Sequence, residues 1–93
     1  MKIEKNILIV EDHALTSFAL KTTLSTQDYV DNIYESTNAS DAYKIINQNN
    51  IDLVIMDIGL PDINGIEATK HIKSTNKDVK IAIFFVFLFV ICN

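Results

Sequence analysis

The chain has 93 residues, a single cysteine and a formal charge of −4 from 12 acidic and 8 basic side chains. That length suits one small domain, and a domain of this size buries only roughly 60–70% of its extended-chain surface. Lone Cys92 excludes an internal disulfide and a cysteine metal cluster. An acidic balance with no basic stripe argues against direct nucleic-acid contact by this segment.

Met1-Lys2-Ile3-Glu4-Lys5 is interrupted by charge and does not read as a signal peptide. Asn6 to Val10 is a short, β-branched apolar run that ends on Glu11-Asp12. Such runs suit strands buried on both faces of a parallel sheet. A helix is expected over His13 to Ser25, with Leu15, Phe18, Ala19 and Leu24 near a 3.6-residue spacing and Asp12 or His13 near its first turn. Val30 to Glu35 is a second strand. Asn38 is placed to cap a helix from Ala39 to about Gln48, whose inner face is Ala42, Tyr43 and Ile46. Asn47 to Asn50 is a polar stop.

The stretch from Ile51 to Gly65 reads I-D-L-V-I-M-D-I-G-L-P-D-I-N-G. Its apolar run, Leu53 to Met56, ends on Asp57, and Pro61 with Asn64-Gly65 marks a loop. A third helix runs from Ile66 to about Ser74 and buries Ile66, Thr69 and Ile72; Lys80 to Phe85 opens a fourth strand. The alternation of strand and helix predicts an α/β fold. It is a doubly wound parallel sheet with right-handed crossovers, of about four strands and three helices.

The end of the chain breaks this rhythm. Ile81 to Cys92 is apolar without interruption. As a helix it spans about 18 Å, short of the roughly 30 Å of a hydrocarbon core, so no membrane span is expected. Residues 1–85 are read as the domain and 86–93 as an aberrant apolar tail, the mark of a frameshift or premature stop. A long, uncharged fourth strand at a sheet edge is also a route to self-association.

Strands of a parallel sheet end side by side, so Glu11, Asp12 and Asp57 are expected to converge in the crevice mouth where open α/β sheets place their chemistry. Converging carboxylates repel one another unless a cation neutralises them. A hard divalent ion such as Mg²⁺ suits an all-oxygen site. Asp12 and Asp57 are the expected direct ligands, Glu11 acts through water, and the backbone carbonyl of Gly59 adds an oxygen. With charge neutralised, Asp57 is a nucleophile toward a phosphoryl group and forms an aspartyl phosphate. His13 and His71 read as solvated helix residues, and Tyr34 and Tyr43 as core.

Glu11-Asp12 after I-L-I-V, followed by M-D-I-G-L-P-D-I-N-G after D-L-V-I, resembles the receiver domain of two-component response regulators over residues 5 to about 84. The E-D-H-A-L opening further resembles receivers of the NarL/FixJ type, which carry a C-terminal helix-turn-helix. The resemblance implies a flavodoxin-like, CheY-like fold with strand order 2-1-3-4-5. It also implies phosphotransfer to Asp57 from a sensor histidine kinase or phosphotransfer protein, a role in transcription regulation, and a cytoplasmic home. Two family features depart. The Thr or Ser that ends the fourth strand falls at Phe85, which has no hydroxyl, and the lysine of the fifth strand would lie beyond Asn93. A truncated interaction module that binds without switching is therefore the alternative. A haloacid-dehalogenase-type phosphatase needs a second acid two residues after its nucleophile, where this chain has Gly59.

Overall fold

The computed structural model describes residues 4–85. The read tail, 86–93, lies outside the described residues. Elements alternate as β1 (Lys5–Val10), α1 (Ala14–Ser25), β2 (Val30–Ser36), α2 (Ala39–Gln48), β3 (Leu53–Asp57), α3 (Gly65–Thr75) and β4 (Lys80–Phe84). The strands form one parallel sheet in the order β2-β1-β3-β4. This is the expected doubly wound α/β architecture.

The order of the strands decides where the helices go. The chain steps one way from β1 to β2, then the other way from β2 to β3 and on to β4. With right-handed crossovers, α1 lies on one face and α2 with α3 on the other. The core follows this division. Leu8, Val10, Val54 and Met56 pack beneath α2 and α3 with Ala39, Ala42, Ile46, Ala68 and Ile72. Tyr34 and Tyr43 pack against that cluster, as expected.

Two helices differ from their sequence patterns. The expected inner face of α1 is not buried: Leu15 is 80% exposed and Phe18 66%, and Ser17 is the buried residue of the helix. Burial of an apolar stripe requires a partner, and among the described residues α1 meets mainly β1 and β2. In α3 the buried line is Gly65, Ala68 and Ile72, while Ile66 is 44% exposed and Thr69 half-buried. Gly65 sets that phase. A Cβ built on it would stand 2.2 Å from the carbonyl oxygen of Asp57 and 2.8 Å from the Cα of Ile58. The first turn of α3 thus lies directly against the end of β3, which turns Ile66 outward. Gly65 needs no positive φ; it needs the absence of a side chain.

Helix α2 begins as its sequence predicts. The Asn38 side chain accepts a hydrogen bond from the Asp41 N–H at 2.9 Å, the expected N-cap. A second cap comes from far away in sequence. The Asp62 carboxylate accepts from the N–H groups of Ala39 and Ser40, both at 3.0 Å. These are orphan donors of a first helical turn, and a carboxylate there also suits the helix dipole. The loop after β3 is thereby tied to α2.

Candidate functional site at the carboxyl ends of the central strands

Val10 of β1 is paired with Met56 of β3, so the next residue on each strand, Glu11 and Asp57, emerges side by side at the carboxyl edge of the sheet. Backbone hydrogen bonds hold both ends. The Glu11 N–H donates to the Ser36 carbonyl, and the Ile58 N–H donates to the Phe84 carbonyl, each at 3.0 Å. Glu11 and Asp57 are almost fully buried, at 1% and 2% exposure, while Asp12 is exposed.

The structure brings these three acids together and adds a fourth group. Glu11, Asp12, His13 and Asp57 each present one ligand atom, and these atoms lie within 4.8 Å of one another. One oxygen of each buried carboxylate is engaged. Glu11 Oε1 accepts from the His13 backbone N–H at 2.8 Å and from the His13 ring Nδ1. Asp57 Oδ1 accepts from the Gly59 N–H at 3.1 Å. Thus Gly59 touches the site through its N–H, a role its sequence position did not announce. The other oxygens, Glu11 Oε2 and Asp57 Oδ2, are buried with no hydrogen-bond partner among the described residues. A buried carboxylate oxygen without a donor is costly unless a cation meets it. The donor set, mostly hard oxygen, fits a divalent ion.

Burial pushes the Glu11 carboxyl above the ordinary carboxylate range, and the neighbouring Asp57 charge adds to this, while both His13 hydrogen bonds oppose it. The His13 imidazole is raised above its ordinary value by its hydrogen bond to Glu11, then by the charges of Asp12 and Glu11. It stands at the N-cap of α1, at the expected helix start. Its side chain nonetheless turns inward to the acids, a direction that adjacency to Asp12 hints at but rotamer choice decides. An open cleft of about 570 Å³ leads away from the acids past Asp12, Ser17, Phe18, Glu35 and Thr37.

Comparison with known proteins follows the same geometry. A model of the response regulator receiver domain matches residues 7–86. The chain belongs to that family. The response regulator UvrY of Escherichia coli is 36% identical over 76 residues, 82% of this chain and 35% of that protein. The response regulator protein VraR of Staphylococcus saprophyticus is 31% identical over 75 residues, 81% of this chain and 36% of its own length. This receiver chain thus spans about a third of the length of the curated relatives it matches. Among solved structures, the MaeR response regulator bound to beryllium trifluoride superimposes with a TM-score of 0.83 at 34% identity, over 88% of this chain and 67% of that one. A LuxR-family two-component response regulator from an Aurantimonas species gives 0.82 at 27% identity, over 95% of this chain and 65% of that one.

The remaining expectations have these places. Phe85, 42% exposed, follows β4 directly, one residue beyond the register partner of Asp57. His71 lies on the surface of α3 with its ring 4.3 Å from that of Tyr43. No helix among the described residues is long and apolar enough to cross a membrane.

Proposed function

We propose that this receiver domain accepts a phosphoryl group on Asp57 within a cytoplasmic two-component phosphorelay, and that it is the N-terminal part of a transcriptional regulator. The observation that carries the reading is the pair of buried, unpartnered oxygens on Glu11 and Asp57, at neighbouring strand ends beside exposed Asp12. Asp12 and Asp57 would hold a Mg²⁺ ion directly, Glu11 through water and Gly59 through its carbonyl, and the bound ion supplies neutralisation of the incoming phosphoryl charge.

The donor in this reading is a phosphohistidine of a sensor kinase or phosphotransfer protein. A carboxylate oxygen of Asp57 attacks phosphorus. The new O–P bond forms as the P–N bond breaks, and the electron pair returns to the donor imidazole, which takes up a proton. Asp57 acts in this reading as a stoichiometric acceptor of the phosphoryl group. MaeR, solved bound to beryllium trifluoride, is a relative whose likeness to this chain supports the reading.

Phe85 offers no hydroxyl to the phosphoryl group, so phosphorylation is expected to change the conformation little. The second reading, a module that binds a kinase or another receiver without switching, draws on that same residue. The β4 edge, with Ile83 42% exposed, is the surface through which such a module would self-associate. Incubation with a small acyl-phosphate donor tests the assignment. A slow, divalent-dependent label that disappears in Asp57→Asn is the expected result. A label that survives Asp57→Asn, or that forms fully in excess chelator, overturns it.

A further inference from the structure

His13 occupies the N-cap of α1, where a Ser, Thr, Asp or Asn side chain would bond the helix's first N–H groups, yet its ring makes no cap hydrogen bond. The ring instead faces the acids. Nδ1 contacts Glu11 Oε1 and lies 3.3 Å from Asp12 Oδ1 and 3.9 Å from Asp57 Oδ2. Ligand atoms held at about 2.0–2.2 Å around one ion stand roughly 3–4.4 Å from each other. The two longer separations fall in that range. Nδ1 is therefore spaced like a member of a coordination shell shared with Asp12 and Asp57. The buried, unpartnered oxygens of Glu11 and Asp57 mark where that shell would close.

We infer that His13 is a metal ligand of the acid cluster, and that it gives the site a preference for nitrogen-accepting cations such as Co²⁺ or Zn²⁺ over Mg²⁺. Imidazole suits the later first-row divalent ions, whereas Mg²⁺ favours oxygen and keeps its waters. Ligation uses the lone pair of Nδ1 on the neutral ring, so Nδ1 gives up the proton it donates to Glu11 Oε1. The proton then sits on Nε2, and the side chain is 61% exposed, so that proton is left to solvent. Glu11 keeps the His13 backbone N–H as a donor to Oε1, so turning the ring onto a metal does not strip that oxygen of its partner. His13 also lies on the short connection between β1 and α1, three residues after Val10.

This inference rests on the acid cluster binding a divalent ion at all, and the experiment separates the two. The full 93-residue chain is titrated with Mg²⁺ and with Co²⁺, and Mn²⁺ bound to it is read by pulsed electron resonance for a directly coordinated ¹⁴N. The expected result is a nitrogen coupling that is present in the native chain and lost in His13→Ala. Co²⁺ affinity should fall at least about tenfold, the scale on which even groups that only support a ligand act. Mg²⁺ affinity should change less than Co²⁺ affinity. His13→Asn restores a helix cap, which guards against loss of structure in the Ala variant, and it should likewise lose the coupling. If Mg²⁺ binds but no nitrogen coupling is seen, or if Co²⁺ affinity is equal in the native chain and both variants, His13 is no ligand and the inference falls alone. If neither ion binds the native chain, the cluster is no metal site and both readings fall.

Discussion

On one face of the sheet, Leu8, Val10, Val54 and Met56 are wholly removed from water beneath α2 and α3. On the other, Ile7 and Ile9 are equally buried beneath α1, but Leu53 and Ile55 of β3 are only half-buried and Ala82 of β4 is exposed. Geometry accounts for the contrast. Four strands at about 4.8 Å spacing make a sheet nearly 20 Å wide, and one helix covers about 10 Å of it. Two helices close the first face. Among the described residues a single helix, seated over β1 and β2, covers the second face and leaves its β3–β4 half open. The candidate site lies on the carboxyl edge that both faces share.

The largest expected effect tests the closed face. Ile72 is 1% exposed and sits at the centre of the packing between α3 and the sheet. Ile72→Ala removes most of that side chain and should cost about 2–5 kcal/mol in urea unfolding. A cost under about 1 kcal/mol would mean that the closed face is not where the stability of the domain resides.

Next in size is Gly65→Ala, which sharpens the link between that face and the site. The added methyl meets backbone, the Asp57 carbonyl at 2.2 Å, and backbone cannot rotate aside as a side-chain tip can. Overpacking of this kind costs about 1–3 kcal/mol. Because the strained contact is with Asp57 itself, divalent binding should weaken along with stability. Unchanged binding in a destabilised variant would separate the α3 contact from the site.

Much of this arrangement was legible before the fold was seen. The apolar runs Asn6–Val10 and Leu53–Met56 each end on acid, and parallel strands align their ends, so the meeting of Glu11, Asp12 and Asp57 follows from pattern and topology together. What was illegible depended on contacts distant in sequence. Leu15 and Phe18 repeat at helical spacing, but spacing states only that a face is apolar, not that anything covers it. Ile66 lies one position off the buried line because Gly65 had already claimed the contact with β3. The inward turn of His13 is a rotamer choice made by the acids around it. Asp62 caps α2 from 23 residues away, a relation no local window contains.

Asp62→Ala is expected to have a moderate effect, about 0.5–2 kcal/mol, the range for loss of a helix cap. Its carboxyl is held below the ordinary value of 3.8, first by the Ala39 N–H and further by the Ser40 N–H. A carboxyl lowered in the folded state stabilises it fully above the unfolded value and less as pH falls. The difference between the native chain and the Asp62→Ala variant should therefore be constant near neutrality and shrink below about pH 4. A difference that grows on acidification would show that Asp62 does not act as the charged cap.

Phe18→Ala carries the smallest expected effect and cuts most directly at the contrast between the faces. Phe is a large apolar side chain, and burying one stabilises a fold by about 1.5–3 kcal/mol, so its helical spacing alone would forecast a substantial loss. Phe18 is 66% exposed on α1, over the open face, and little of that area leaves water on folding. The substitution should change stability by no more than about 0.5 kcal/mol, as at an ordinary surface position. It also lines the cleft that leads from the acids, so any effect should appear in phosphoryl-donor labelling rather than in the urea midpoint. A loss of 2 kcal/mol or so, comparable to that of Ile72→Ala, would show that something covers α1 in solution. The open face would then be a contact surface instead of a solvated one.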